Sequence, residues 1–132
     1  MVYVQRTIPA AQLRLIVFDL DGTLIDSRAD LTQSIPAMLL HLHRHELPED
    51  VIASYIGDGA GMLVRRALGD PDDAALVEEG VDYFLSYYRE HKLDHTYVYP
   101  GVLPLLRALR EQAQPPLLAV LTNKPIGPAR AI

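Results

Sequence analysis

The run Arg14-Leu15-Ile16-Val17-Phe18-Asp19-Leu20 is short, continuously apolar at its centre, and rich in β-branched and aromatic side chains. It reads as a strand buried on both faces, which belongs to a parallel sheet and not to a one-sided hairpin. A second run of the same kind, Leu117-Leu118-Ala119-Val120-Leu121, follows Pro115-Pro116, a pair that stops the preceding helix. It gives way to Thr122-Asn123-Lys124-Pro125. Parallel strands need a long crossover, and the segment between these two is helical in character. The fold class expected is therefore α/β.

Within the crossover, Asp26 or Ser27 is placed to cap a helix carrying Leu31, Ile35, Met38, Leu39 and Leu42 at helical spacing. Pro36 lies inside it and predicts a kink or a split. Glu49-Asp50 open a second helical stretch that ends near Tyr55-Ile56. The loop Gly57-Asp58-Gly59-Ala60-Gly61 leads into a third, with Leu63, Val64, Ala67 and Leu68. Gly69-Asp70-Pro71-Asp72-Asp73 reads as a helix start, with Asp70 as cap and Pro71 at the first helical position. That helix carries Leu76, Val77, Val81, Phe84, Leu85 and Tyr88. Tyr99-Pro100-Gly101 is a turn before a last full helix with Val102, Leu103, Leu105, Leu106 and Leu109. Two parallel strands and one crossover leave apolar faces and strand edges uncovered. More sheet is therefore expected beyond Ile132, and an isolated chain is expected to be poorly soluble.

A length of 132 residues suits about one domain. With 49% hydrophobic and 22% charged residues, disorder, collagen-like structure and coiled coil are poor fits. No apolar run reaches the ~18 residues of a membrane span. Met1-Val2-Tyr3-Val4-Gln5-Arg6 lacks the basic and apolar regions of a secretory leader. The absence of cysteine excludes disulfides and thiolate metal sites. Twelve basic against 17 acidic residues, a net charge of −5, argue against non-specific nucleic-acid binding. A cytoplasmic location is the default expectation.

The chemistry concentrates in Asp19-Leu20-Asp21-Gly22-Thr23-Leu24. Successive side chains of a strand alternate, so Asp19 and Asp21 are expected to point to one side and Leu20 to the other. Ligands of open α/β sheets bind at this carboxyl end of the strands. Gly22 permits a tight turn whose amides can face an anion. Two carboxylates ~4–5 Å apart repel by a few kcal/mol at an effective dielectric of ~20, so a compensating cation is expected. A hard divalent ion with oxygen ligands, Mg²⁺ foremost, suits the pair.

This segment resembles the first signature motif of the haloacid dehalogenase superfamily in its phosphatase form. Leu121-Thr122-Asn123-Lys124-Pro125 resembles the second motif. Tyr55-Ile56-Gly57-Asp58-Gly59, Tyr87-Tyr88-Arg89-Glu90-His91 and Tyr99-Pro100-Gly101-Val102 resemble the small helical cap of phosphoglycolate phosphatases. The likeness runs from about Arg14 to Pro125. It implies a Rossmann-like core, here partial, at residues 1–27 and 99–132, with a helical cap at 28–98 that closes over the site.

The resemblance further implies that Asp19 is the nucleophile, forming an aspartyl-phosphate, and that Asp21 is the general acid and base. Mg²⁺ would lie on the Asp19 carboxylate and the Asp21 main-chain carbonyl. Gly22, Thr23, Thr122 and Asn123 would bind phosphate. The partner is then a small phosphorylated metabolite, with neither nucleic acid nor membrane. 2-Phosphoglycolate is the first substrate to try; a phosphosugar mutase or pyrophosphatase shares the scaffold. The family's lysine and its further metal-binding acids would lie past Ile132, so this chain alone is expected to turn over little. A phosphate-binding fragment or subunit is the non-enzymatic alternative. Lys124 reads as a substrate-rim or surface charge, not as the family lysine.

Other signals favour plain structure. The Gly57–Gly61 loop follows no strand and no P-loop Lys-Ser/Thr succeeds it; it is an interhelical turn or a cap loop that chooses substrate. His41, His43 and His45 suit a helix C-terminus better than a metal site. Tyr83, Phe84, Tyr87 and Tyr88 suit core and cap packing. Asp70, Asp72, Asp73, Glu78 and Glu79 form a helix start and a solvated face, not a Ca²⁺ loop.

Overall fold

The computed structural model of the protein describes residues 9 and 12–132; the stretch Met1–Arg6 lies outside them. The elements run β1 (Leu15–Phe18), β2 (Ile25–Asp26), α1 (Arg28–His41), α2 (Glu49–Ser54), α3 (Ala60–Ala67), α4 (Ala74–His91), β3 (Tyr97–Val98), α5 (Val102–Arg110), β4 (Leu117–Val120) and α6 (Ile126–Ala131).

β1 and β4 pair in parallel from Leu15↔Leu117 to Phe18↔Val120. The Leu121 amide continues the ladder by donating to the Phe18 carbonyl at 2.9 Å. Asp19 and Thr122 therefore leave neighbouring strands at the same end. The burial expected on both strand faces is not met: Leu15 is 52% exposed and Leu117 74%. A two-stranded ladder has too little around it to enclose its side chains. α5 also buries none of its residues fully, and Leu103 and Leu105 stay exposed.

The core is in the helices. Leu31, Ile35, Met38 and Leu39 of α1 meet Ile52 of α2, Leu63, Val64 and Ala67 of α3, and Phe84 and Tyr88 of α4. Each large apolar side chain buried there contributes roughly 1.5–3 kcal/mol. Gly80 lets α4 lie close to its neighbours. A Cβ at that position would sit 3.0 Å from Val64 Cγ1, 3.2 Å from Leu68 Cδ1 and 3.3 Å from Met38 Sδ.

Three local expectations are corrected. Pro36 does not split α1, which runs as one helix from Arg28 to His41. The flanking Ile35, Met38 and Leu39 are almost wholly buried, and that burial offsets the ~3 kcal/mol a helical proline costs. The helix after Gly69 starts at Ala74, with Asp73 as its cap accepting the Leu76 amide at 3.1 Å. Asp70 instead adopts φ +55° and ends α3: its amide donates to the Arg65 carbonyl and its carboxylate meets the Arg65 guanidinium. Ser27 precedes α1 but does not cap it through its side chain. Its hydroxyl is committed to Asp21.

The short antiparallel pair of β2 and β3, Ile25↔Val98 and Asp26↔Tyr97, joins the chain entering the helical layer to the chain leaving it. Behind it, Asp30 of α1 binds the exit segment. Its Oδ1 accepts the His95 amide at 2.9 Å and lies 2.9 Å from His95 Nδ1. Its Oδ2 accepts the Thr96 amide at 2.8 Å and the Thr96 hydroxyl at 2.7 Å. Burial works to raise the Asp30 carboxyl, but bonds from the Thr96 hydroxyl and from His95 win and hold it below the ordinary carboxylate range. Among the described residues no helix is long and apolar enough to cross a membrane.

Candidate active site

β1 ends at Phe18, so Asp19 and Asp21 lie in the turn beyond the strand, where strict alternation no longer holds. The Leu20 carbonyl accepts the amides of Thr23 at 3.2 Å, Leu24 at 2.9 Å and Ile25 at 3.2 Å. The Gly22 amide donates to the Ile25 carbonyl at 2.8 Å, and its φ of +80° is one that glycine adopts without strain. The amides of Gly22 and Thr23 are thus spent inside the turn. The Asp21 carbonyl takes none of these bonds. Asp19 is exposed, and its Oδ1 accepts the Leu20 amide at 2.8 Å.

Asp19, Asp21, Gly22, Thr122 and Asn123 line one cavity of about 260 Å³ between the strand ends and the helical layer. Thr23 does not line it. The apolar wall includes Leu31, Leu63, Phe84 and Tyr88, so Phe84 and Tyr88 of α4 serve both the core and the cavity. The Gly57–Gly59 loop reaches the strand end. The Asn123 side-chain amide donates to the Gly57 carbonyl at 3.2 Å, and a Cβ on Gly59 would lie 3.1 Å from the Asn123 carbonyl oxygen. Arg66 of α3 braces this loop by pairing with Asp58 at 2.6 Å and donating to the Tyr55 carbonyl at 3.3 Å.

Lys124 is the main correction at the site. It is no surface charge: its side chain is only 3% exposed, and its Nζ lies 2.9 Å from Asp21 Oδ1. The same ammonium sits 4.8 Å from the centroid of the Tyr88 ring, within cation–π range. Its amide donates to Thr122 Oγ1 at 3.1 Å. The Lys124 ammonium thus offsets the charge of Asp21. Asp21 Oδ1 also accepts the Ser27 hydroxyl at 2.5 Å. Lys124 beside the second strand was visible in the sequence, but nothing there indicates which way a lysine turns. The partnership of Ser27 with Asp21 carried no sequence signal at all.

Burial first, then the charges of Asp21 and Asp30, push the Tyr88 phenol well above the ordinary tyrosine range, so it stays neutral. Its hydroxyl is buried and has no partner among the described residues. His41, in the last turn of α1, stacks on Tyr83 at 4.1 Å and lies 3.7 Å from Glu79. Among the described residues no three or more His, Asp or Glu side chains gather to hold a metal. The donors beside the cavity are hard oxygens, the Asp19 carboxylate and the uncommitted Asp21 carbonyl. That set fits Mg²⁺, which takes one or two protein oxygens and fills its shell with water and phosphate.

A parallel ladder with an acid pair at its tip and a helical layer over it is the strand-end ligand site of an open α/β sheet. Residues 13–132 match the haloacid dehalogenase-like hydrolases, and the chain belongs to that family. It is 46% identical over 119 residues to a phosphoglycolate phosphatase of Chromobacterium violaceum, covering 85% of this chain and 51% of the relative. A phosphoglycolate phosphatase of Pseudomonas putida is 43% identical over 134 residues, covering 94% and 47%. The crystal structure of a predicted phosphoglycolate phosphatase from Haemophilus somnus matches with a TM-score of 0.76 at 35% identity, over 87% of this chain and 53% of that one. A predicted phosphatase from Clostridium acetobutylicum shares the fold, with a TM-score of 0.77 at 24% identity over 90% of this chain and 53% of that one. The chain spans about half the length of the curated relatives it matches.

Proposed function

We propose that the chain serves the hydrolysis of a small phosphomonoester, 2-phosphoglycolate foremost, with the helices of residues 28–98 acting as a cap over a partial core at 1–27 and 99–132. The observation that carries this reading is that Asp19, Asp21, Thr122 and Asn123 line one cavity. The two relatives described as phosphoglycolate phosphatases support the choice of substrate.

In this reading the Asp19 carboxylate attacks phosphorus, the phosphorus–ester oxygen bond breaks, and an aspartyl-phosphate forms. Asp21 gives a proton to the departing glycolate oxygen. It then takes one from the water that attacks phosphorus, which releases inorganic phosphate and regenerates Asp19. The Thr122 hydroxyl and the Asn123 main-chain amide grip the phosphoryl oxygens. The Asn123 side chain stays with the Gly57 carbonyl. The cap excludes bulk water from the reacting groups. The Asp19 carboxylate and the Asp21 carbonyl would hold Mg²⁺, which when bound supplies positive charge against the phosphate dianion.

The test is binding and turnover of 2-phosphoglycolate with Mg²⁺. Saturable shifts of the Thr122 and Asn123 amide resonances are expected, with glycolate, which lacks the phosphoryl group, inert. Any phosphate released should vanish in Asp19→Asn. An equal response to glycolate, or none to the phosphorylated compound, would overturn the proposal.

A further inference from the structure

We infer that Lys124 is a positioning residue for Asp21, holding its carboxylate in one orientation only while α4 is seated against the 122–124 loop. This rests on the assignment of Asp21 to proton transfer. The Lys124 ammonium and the Ser27 hydroxyl both bind Oδ1 of Asp21. Oδ2 has no partner among the described residues, so the two contacts fix the carboxylate and leave one oxygen for proton transfer.

The ammonium reaches Asp21 from the β4 side, and the Tyr88 ring covers it from α4. Without that ring the buried cation would meet water, and its hold on Asp21 would be screened. Asn123, one position earlier, fastens the same loop to Gly57, and its carbonyl oxygen faces Gly59. Thr122, one position earlier again, accepts the Lys124 amide. Three consecutive residues thus face the phosphoryl site, the helical loop and the proton-transfer acid. Seating of the helical layer and orientation of Asp21 become one event. A lysine buried only to fill space would need its aliphatic stem alone, and methionine would replace it.

That difference supplies the test, made on the whole chain without substrate. Hydrogen exchange is followed at the buried Leu63 amide, which donates to the Gly59 carbonyl of the loop at 3.1 Å, together with the carboxyl carbon resonance of Asp21. Lys124→Met and Tyr88→Leu should each speed exchange at the Leu63 amide by about tenfold and move the Asp21 resonance, with no further gain in the double variant. Tyr88→Phe, which keeps the ring, and Asp19→Asn should stay within about threefold of the parent. The Ile35–Leu39 amides of α1 should be unchanged throughout. The inference fails if Lys124→Met leaves exchange and resonance at their parent values. It fails equally if α1 opens together with the Leu63 amide, since the lysine would then merely support the fold. Neither readout uses substrate, so a chain that bound no 2-phosphoglycolate would sink the proposed function and leave this result standing.

Discussion

Replacing Asp30 by asparagine tests the buried anchor between α1 and the exit segment. The Asp30 side chain is 1% exposed and offers two charged oxygens to donors that cannot all accept in return. Whichever way the new amide is turned, its NH₂ faces either the His95 backbone donor or the Thr96 backbone donor. The Thr96 hydroxyl can rotate to accept, so the milder arrangement places NH₂ on that side and strands the Thr96 amide. A stranded amide costs ~1–3 kcal/mol, and losing charge on the remaining bonds adds roughly 1 kcal/mol.

The sum, about 2–4 kcal/mol, corresponds to a fall in Tm of roughly 10 °C for a chain of this size. Thermal unfolding followed by far-ultraviolet circular dichroism reads it directly. Because folding lowers the carboxyl pKa, the stabilisation is whole above the unfolded value of ~3.9 and is lost as pH falls through the lower folded value. The gap between parent and variant should therefore shrink in acid. A Tm within 2 °C of the parent at neutral pH, or a gap that stays constant into acid, would refute the anchor.

Two further predictions concern packing and surface charge. Gly80→Ala should lower the stability read by urea unfolding by about 1 kcal/mol, because overpacking of ~1–3 kcal/mol against Val64, Leu68 and Met38 outweighs the ~1 kcal/mol that alanine gains in a helix; a higher midpoint would mean these neighbours yield freely. The exposed Tyr97 phenol, held above the ordinary tyrosine range chiefly by the charge of Asp26, should titrate lower in Asp26→Asn by ultraviolet absorbance, and an unmoved curve would remove Asp26 as the cause.

The acid pair, the Thr-Asn tip and the parallel pairing of the two apolar runs were legible because each rests on local chemistry: β-branched runs, turn glycine, strand-end polarity. The helices were legible from periodicity. What escaped was decided at a distance. Asp70 and Asp73 are equally good caps on paper, and only the Arg65 contacts show that Asp70 closes the preceding helix. β2 and β3 are two residues each, too short to show alternation, and exist because they find one another. Ser27 looked like a cap and instead binds Asp21. Lys124 read as a substrate-rim or surface charge; it lines the cavity but is buried, and a long flexible side chain carries no sign in sequence of where it ends.

Leu15 pairs with Leu117 across roughly a hundred intervening residues, and closing so large a loop costs entropy that short-range helix contacts do not. The helices can collapse on one another early, whereas Asp19 and Thr122 become neighbours only once the two strands zip. The candidate site thus depends on the most entropically costly pairing in the chain, and losing that pairing would separate Asp19 from Thr122 while the helical bundle still looked native by circular dichroism.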